Sequence, residues 1–129
     1  MPFMRMKHAK DPIKDIWDTM GDISEIELLH NQVLVAIYVR PDTTASGIIL
    51  SDKTIDEDKY QGKVGLIIKT GPGAFQGGGS KWDFGGLKIG EWVFFRPSDS
   101  WQINVQGKSC RIVEDIDIRG RLPAPDVVW

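Results

Sequence analysis

The side chains that could carry acid–base, nucleophilic or metal chemistry are few and far apart in this sequence. His8 and His30 are its two histidines, and Cys110 is its single cysteine. A zinc site or a Ser-His-Asp triad needs several such groups in a defined arrangement, and this spacing indicates neither. We therefore expect surface or turn positions for the histidines, a buried thiol at Cys110, and no enzyme activity, metal ion or cofactor.

Two further segments suggest ligand binding at first sight. The acidic cluster of Asp52, Asp56, Glu57 and Asp58 lacks the alternating acidic positions, central glycine and terminal glutamate of a calcium loop, so we interpret it as solvated. Residues 71–86 hold seven of the fourteen glycines. Their spacing differs from that of phosphate-binding loops, which also need a helix after the glycines. A flexible hairpin is predicted there instead.

Composition limits the partners that the chain can bind. Phe75, Trp82 and Phe84 offer rings that can stack on single-stranded nucleic acid, but the net charge of -2 provides no basic surface. No apolar run approaches the ~20 residues that span a bilayer, and the N-terminus lacks the apolar stretch of a secretory signal. We expect one domain with tails, located in the cytoplasm, without nucleic-acid or membrane binding.

The first predicted element is a short helix from Asp11 to Gly21, with Asp11 as its cap and Pro12 at its first position. Its apolar residues follow the i, i+3, i+4, i+7 spacing of one helical stripe. They are Ile13, Ile16, Trp17 and Met20. A helix this short is marginal in water, so the stripe must dock on its own protein or on a neighbouring subunit, partner or membrane.

After Ile23 the pattern changes to that of short strands, and no second helix is evident. Strands are predicted at 33–39, 64–69, 92–95, 101–105, 110–113 and 116–118. Turns are predicted at Gln106-Gly107-Lys108 and at Glu114-Asp115. Many short strands at even spacing favour an all-β fold, a small closed or nearly closed barrel. Two long interruptions, at about 40–61 and 71–86, are where we expect function to be located.

Five segments, read in order, resemble the GroES small co-chaperonin family. They are ELLHNQVLVAIY, TTASGIIL, YQGKVGLIIKTGPG, GLKIGEWVFF and KSCRIVEDIDI, and together they cover about residues 26–118. Each segment alone is weak evidence for the family, because similar patterns occur in unrelated small barrels. Their order and spacing together are more specific to the family. The resemblance implies a GroES-like barrel subunit in a sevenfold ring that caps the folding cavity of a large ATP-driven chaperonin.

The resemblance also implies roles for particular residues. Ile48, Ile49 and Leu50 match the apolar tripeptide of a mobile, chaperonin-binding loop, and Gly47 matches the glycine before it. Residues 71–86 correspond to a roof hairpin, which would place Phe75, Trp82 and Phe84 near the crown of the ring. The region around Trp101 corresponds to a turn that faces the cavity wall.

The physical chemistry of the first loop agrees with that placement. Three consecutive large aliphatic side chains between polar residues have little reason to be exposed unless a partner buries them. Burial contributes roughly 1.5–3 kcal/mol per side chain, whereas ordering a loop costs about 1–2 kcal/mol per residue. One loop therefore binds weakly, and several loops on one ring bind with avidity. The alternative is an ordinary strand that returns to its own core.

The chain extends beyond the usual family pattern at both ends. We predict an N-terminal extension at 1–24, a barrel at 25–119 and a C-terminal tail at 120–129, which ends in Val127, Val128 and Trp129. Both extensions carry apolar groups suited to docking on other chains. The alternative function is therefore a phage virion protein, such as a head-decorating or neck component, whose tails grip neighbouring subunits.

Overall fold

A computed structural model of the chain describes residues 8, 11–39, 49, 51, 53, 62–75 and 87–126. These residues form one α-helix and six β-strands. In chain order they are α1 (Pro12–Met20), β1 (Gln32–Ile37), β2 (Val64–Thr70), β3 (Trp92–Phe95), β4 (Trp101–Val105), β5 (Lys108–Glu114) and β6 (Ile118–Leu122). Short 3-10 turns at Pro97–Asp99 and Asp115–Asp117 precede β4 and β6. No helix among the described residues is long and apolar enough to cross a membrane.

Local signals account for α1. The side chain of Asp11 accepts the backbone N–H of Ile13 at 3.1 Å, and Pro12 occupies the first turn, where no N–H is needed. Gly21 ends the helix with φ of 61°, and its N–H bonds to the carbonyl of Trp17 at 3.1 Å. The predicted helix is therefore confirmed, with its cap and its terminating glycine.

The strands form one antiparallel sheet in the order β4-β5-β1-β2-β3-β6. Alternate residues of the central strand β1 enter two separate apolar clusters. The helix-side cluster buries Ile16, Met20, Leu28, Leu34, Ala36, Tyr38, Val64, Leu66, Ile68, Trp92, Val105, Cys110 and Leu122. The second cluster buries Val33, Val35, Ile37, Ile67, Ala74, Val93, Phe95 and Val113. A central strand that is apolar on both faces is the arrangement that the sequence predicts.

A two-residue turn joins β4 to β5. Val105 pairs with Lys108, and the residues between them, Gln106 and Gly107, have φ values of 52° and 76°. Two successive positive φ values are typical of the type I′ hairpin turn, whose twist matches that of the flanking strands. The turn predicted at this position is confirmed.

Two strand predictions need correction. β1 ends at Ile37 and not at Val39. The strand predicted at 116–118 is wrong, because Asp115–Asp117 forms a 3-10 turn and β6 begins only at Ile118. Side-chain bonds close this turn, since the Asp117 carboxylate accepts the N–H of Glu114 at 3.3 Å.

The all-β prediction with one short N-terminal helix is confirmed. The six-stranded antiparallel sheet agrees with the small barrel that the sequence indicates. The predicted divisions at 24 and 119 stay predictions, although β6 carries the sheet on to Leu122.

Candidate partner-binding surface

Of the apolar tripeptide in the first loop (residues 40–61), the structure describes Ile49. Its side chain is 76% exposed, and its backbone takes part in an isolated β-bridge. Gly47, Ile48 and Leu50 lie outside the described residues. Because the core of the chain does not bury the Ile49 side chain, this large aliphatic group is available to a partner.

The first loop starts and ends at two strands that are bonded to each other. The N–H of Tyr38, just after β1, donates to the carbonyl of Val64, at the start of β2, at 2.9 Å. The ring of Tyr38 is 3% exposed and packs edge-on against Trp92, with the ring centroids 5.7 Å apart. We call this junction of Tyr38 and Val64 the loop stem.

His8 contacts the loop stem from the N-terminal extension. Its Nε2 lies 2.6 Å from the hydroxyl of Tyr38, and the two rings are tilted with centroids 5.8 Å apart. His8 is half-buried and lies outside the helix and strands, so it is a partly exposed surface residue with a side-chain contact that the sequence did not predict. His30 does lie in a turn, where it is exposed and has φ of 57°.

The second loop (residues 71–86) begins in a tightly packed turn. Gly73 donates its N–H to the carbonyl of His30 at 2.8 Å, and Gly71 donates to that of Gln32 at 2.7 Å. A Cβ at Gly71 would lie 2.6 Å from the His30 carbonyl oxygen. Only glycine therefore fits at Gly71 without moving the backbone of the neighbouring turn.

A buried carboxylate holds Phe75, the first residue of the predicted roof aromatics. Asp115 is 5% exposed and accepts the N–H of Phe75 at 3.0 Å and the side-chain N–H of Asn31 at 3.0 Å. Phe75 has φ of 60°, which is rare for a residue with a side chain, and its ring packs against the second cluster. Trp82 and Phe84 lie outside the described residues, so their place at a crown stays a prediction.

Trp101 is the most exposed aromatic side chain that the structure describes. It begins β4, which has a described partner strand on one side only, and 69% of its surface is exposed. Its cross-strand partner is Ile112, which packs against the helix-side cluster. The indole therefore extends the apolar surface of this face beyond the core.

The turn that leads into β4 is fixed by charged groups. Asp99 accepts two bonds of 3.2 Å from the guanidinium of Arg96 and one of 3.5 Å from Arg119. The bond from Arg96 is the main cause that lowers the pKa of the Asp99 carboxyl. Arg111 donates to the Ser100 hydroxyl at 3.0 Å and to the Pro97 carbonyl at 3.3 Å, and burial lowers the pKa of this guanidinium.

Cys110 is a buried thiol, as the sequence predicts. It is 0% exposed, and burial raises the pKa of the thiol to about 11. A thiol with so little thiolate at neutral pH is a poor nucleophile. Among the residues with described positions, no three His, Cys, Asp or Glu side chains are placed to share a metal ion.

The helical stripe packs on the chain's own sheet. Ile16 and Met20 are 3% and 0% exposed within the helix-side cluster, and Ile13 and Trp17 are half-buried against it. Beside Ile13 runs a groove of about 420 Å³, which is also lined by Trp92, Leu122 and Pro123. Val127, Val128 and Trp129 lie outside the described residues.

Sequence reasoning missed two residues that contact the ends of the loops, His8 and Asp115. His8 contacts a residue 30 positions away, and Asp115 one 40 positions away. The nearest signal was the position of Asp115 between two strands of apolar pattern, where an acidic residue is assigned to a solvated turn. Burial of that carboxylate depends on contacts that the local pattern does not contain.

Comparisons with known proteins give one consistent result. Residues 25–122 match the family model described as Chaperonin 10 Kd subunit. The co-chaperonin GroES of Pelagibacter ubique is 33% identical over 97 residues, which cover 71% of this chain and 91% of that protein. The co-chaperonin GroES 2 of Rhodopseudomonas palustris is 33% identical over 92 residues, which cover 71% of this chain and 84% of that protein.

Proposed function

The chain belongs to the Chaperonin 10 Kd subunit family, and we propose that it is a co-chaperonin that binds a large ATP-driven chaperonin. In this proposal the contact is made by Gly47, Ile48, Ile49 and Leu50 of the first loop. Several such subunits, seven according to the family resemblance, form a ring that caps the folding cavity of the chaperonin.

The exposure of Ile49 is the observation that carries the contact. A side chain that leaves 76% of its surface in water has most of its burial energy available for a complex. Ile49 also lies in a segment between two paired strands, so its attachment to the barrel is defined by the loop stem. A long loop that is anchored on rigid strands is a common site of binding.

The strength of the complex depends on the number of loops. One buried isoleucine contributes roughly 1.5–3 kcal/mol, and association with loop ordering takes up much of that gain. When one loop of a ring has bound, the others face their sites at high effective concentration, which raises the overall affinity by about 10²–10⁴. The proposal therefore requires an oligomer, and the intact mass of the purified protein measures this directly.

The binding test compares wild type with Ile49→Ser against a purified large chaperonin in the presence of ATP. We expect wild type to bind and to change the ATPase rate of the chaperonin. Ile49→Ser is expected to weaken binding by at least about tenfold, because each ring loses roughly 1.5–3 kcal/mol per loop. Ile49 is outside the core, so the substitution leaves the fold unchanged.

Ile116→Ser is the matched control, because Ile116 is another exposed isoleucine, at 44%, and lies outside the first loop. We expect it to bind like wild type. Failure of the wild-type protein to bind or to change the ATPase rate contradicts the proposed function. Equal losses in Ile49→Ser and Ile116→Ser contradict the assignment of the contact to the first loop.

The second loop and the two tails have predicted roles of their own. The packing of Phe75 against the second cluster and its bond to Asp115 support a roof hairpin whose first residues are anchored on the sheet. The half-buried positions of Ile13 and Trp17 leave part of the helical stripe available to a neighbouring subunit. Docking by Val127, Val128 and Trp129 stays a prediction.

A further inference from the structure

We propose that His8 is a positioning residue for the first loop, and that it holds the loop stem through the hydroxyl of Tyr38. The N-terminal extension would thereby set how firmly the chaperonin-binding loop is anchored. The effect on binding rests on the proposed function, whereas the effect on the stem stands without it. His8 precedes the residues that the family model matches, 25–122, so this contact is an addition to the matched domain.

Three of the contacts that Tyr38 makes hold the stem together. Its backbone N–H donates to the Val64 carbonyl at 2.9 Å, which bonds the strand before the first loop to the strand after it. Its ring packs edge-on against Trp92 of β3. Its hydroxyl lies 2.6 Å from Nε2 of His8. A residue that is 3% exposed and held from three directions has little freedom to move away from Val64.

The helix of the extension is fixed to the sheet. Asp11 caps α1 three residues after His8, and Met20 in the last turn of α1 is fully buried in the same helix-side cluster as Tyr38. His8 therefore lies three residues before an element that the core of the protein holds in place. A contact from a fixed element restricts the stem more strongly than a contact from a free terminus.

Anchoring of the stem bears on binding through the cost of ordering. A loop whose ends are held loses less conformational freedom when it binds than one whose stem opens and closes. Loss of the hydroxyl contact should then act in two places. It should increase the opening of the Tyr38–Val64 junction, and it should weaken the complex although no group that touches the partner has changed.

Hydrogen exchange at the amide of residue 38 measures the stem directly. Tyr38→Phe removes the hydroxyl and keeps the ring, and His8→Ala removes the partner atom. We expect each variant to exchange this amide faster by about three- to tenfold, the effect of one net hydrogen bond. The double variant should add no further increase. The amide of Gly71, which donates at 2.7 Å to Gln32 at the other end of β1, should be unchanged.

Asn31→Ala is the matched control variant, because it removes a side-chain bond of 3.0 Å at the opposite end of β1. It should leave exchange at residue 38 at the wild-type rate. Wild-type exchange in Tyr38→Phe, or an equal increase at Gly71 and at residue 38, contradicts the role of the contact in the stem.

The affinity of the same variants for the chaperonin tests the proposed effect of the stem on binding. We expect Tyr38→Phe to raise the Kd by about threefold, because a less firmly anchored stem has more conformational freedom to lose on binding. Faster exchange with an unchanged Kd overturns the link to binding. If wild type does not bind the chaperonin, the proposed function fails, and the exchange result still decides whether His8 holds the stem.

Discussion

The carboxylate of Asp115 accepts the backbone N–H of Phe75 at 3.0 Å, although 40 positions of sequence separate the two residues. Its other oxygen accepts the side-chain N–H of Asn31, also at 3.0 Å, and its backbone N–H donates to the Asn31 carbonyl at 3.1 Å. One buried aspartate thus joins the turn before β1, the start of the second loop and the turn between β5 and β6.

Removal of this carboxylate leaves two donors without their acceptor. We expect Asp115→Ala to lower the free energy of unfolding by about 1–3 kcal/mol, the cost of unsatisfied buried groups. Urea denaturation measures the change. Asp117→Ala is the control, because Asp117 belongs to the same 3-10 turn but makes an exposed bond. Equal losses in the two variants would show that Asp115 matters only for its own turn.

Two glycines differ in what surrounds them, and we expect their alanine variants to differ accordingly. At Gly71 an added Cβ meets backbone, with the His30 and Leu29 carbonyl oxygens at 2.6 and 2.9 Å. At Gly120 it meets the far end of the Phe94 ring, and that partly buried ring can turn away. Gly71→Ala should therefore lose about 2–3 kcal/mol and Gly120→Ala about 1 kcal/mol.

Thermal unfolding of the two glycine variants measures this difference. Phe94→Leu shortens the side chain at the clash, so Gly120→Ala should be less destabilising in the Phe94→Leu background than in wild type. Gly71→Ala should have no such compensation. A larger loss at Gly120 than at Gly71 contradicts the packing described for the two sites.

α1 is expected to behave as part of the core and not as a detachable tail. Met20→Ala should lower the free energy of unfolding by about 2–5 kcal/mol, the usual cost of truncating a fully buried side chain. Lys14→Ala, on the exposed face of the same helix, should change it by less than about 0.5 kcal/mol. Chemical denaturation at several protein concentrations separates this effect from assembly. A variant Met20→Ala as stable as Lys14→Ala would mean that the helix docks elsewhere.

Elements with complete local signals could be predicted from the sequence. The cap at Asp11, Pro12 and Gly21 define α1, and alternation or two-sided apolar runs define the strands up to β5. β6 reads Ile118-Arg119-Gly120-Arg121-Leu122, in which charges and a glycine hide the pattern. Its glycine makes room for the ring of Phe94, a contact that depends on strand pairing.

The candidate site was predictable only in its location. Long interruptions between strands, and consecutive aliphatic residues around Ile49, are visible along the chain. The contacts at the ends of these loops are not visible along the chain, because His8 and Tyr38 are 30 positions apart and Asp115 and Phe75 are 40 apart. Each pair combines a polar side chain of ordinary type with a partner that only the fold brings near.

Burial of Cys110 should make stability fall in alkaline solution. The thiol has a pKa of about 11 in the folded chain, against an ordinary value of 9.0 when it is exposed by unfolding. Between these values the unfolded state releases the proton and the folded state keeps it, so a rise in pH favours unfolding. The contribution of Cys110 is complete below pH 9 and is lost as the pH approaches 11.

Denaturation of wild type and Cys110→Ala at pH 8 and at about pH 10.5 isolates this effect from other groups that titrate there. We expect wild type to lose about 1–3 kcal/mol more than Cys110→Ala over this interval, in line with a shift of up to about two pKa units. Thiol-specific reagents should likewise modify the native protein much more slowly than the unfolded protein. Identical pH dependence in the two proteins, together with rapid native modification, would contradict a thiol sealed in the helix-side cluster.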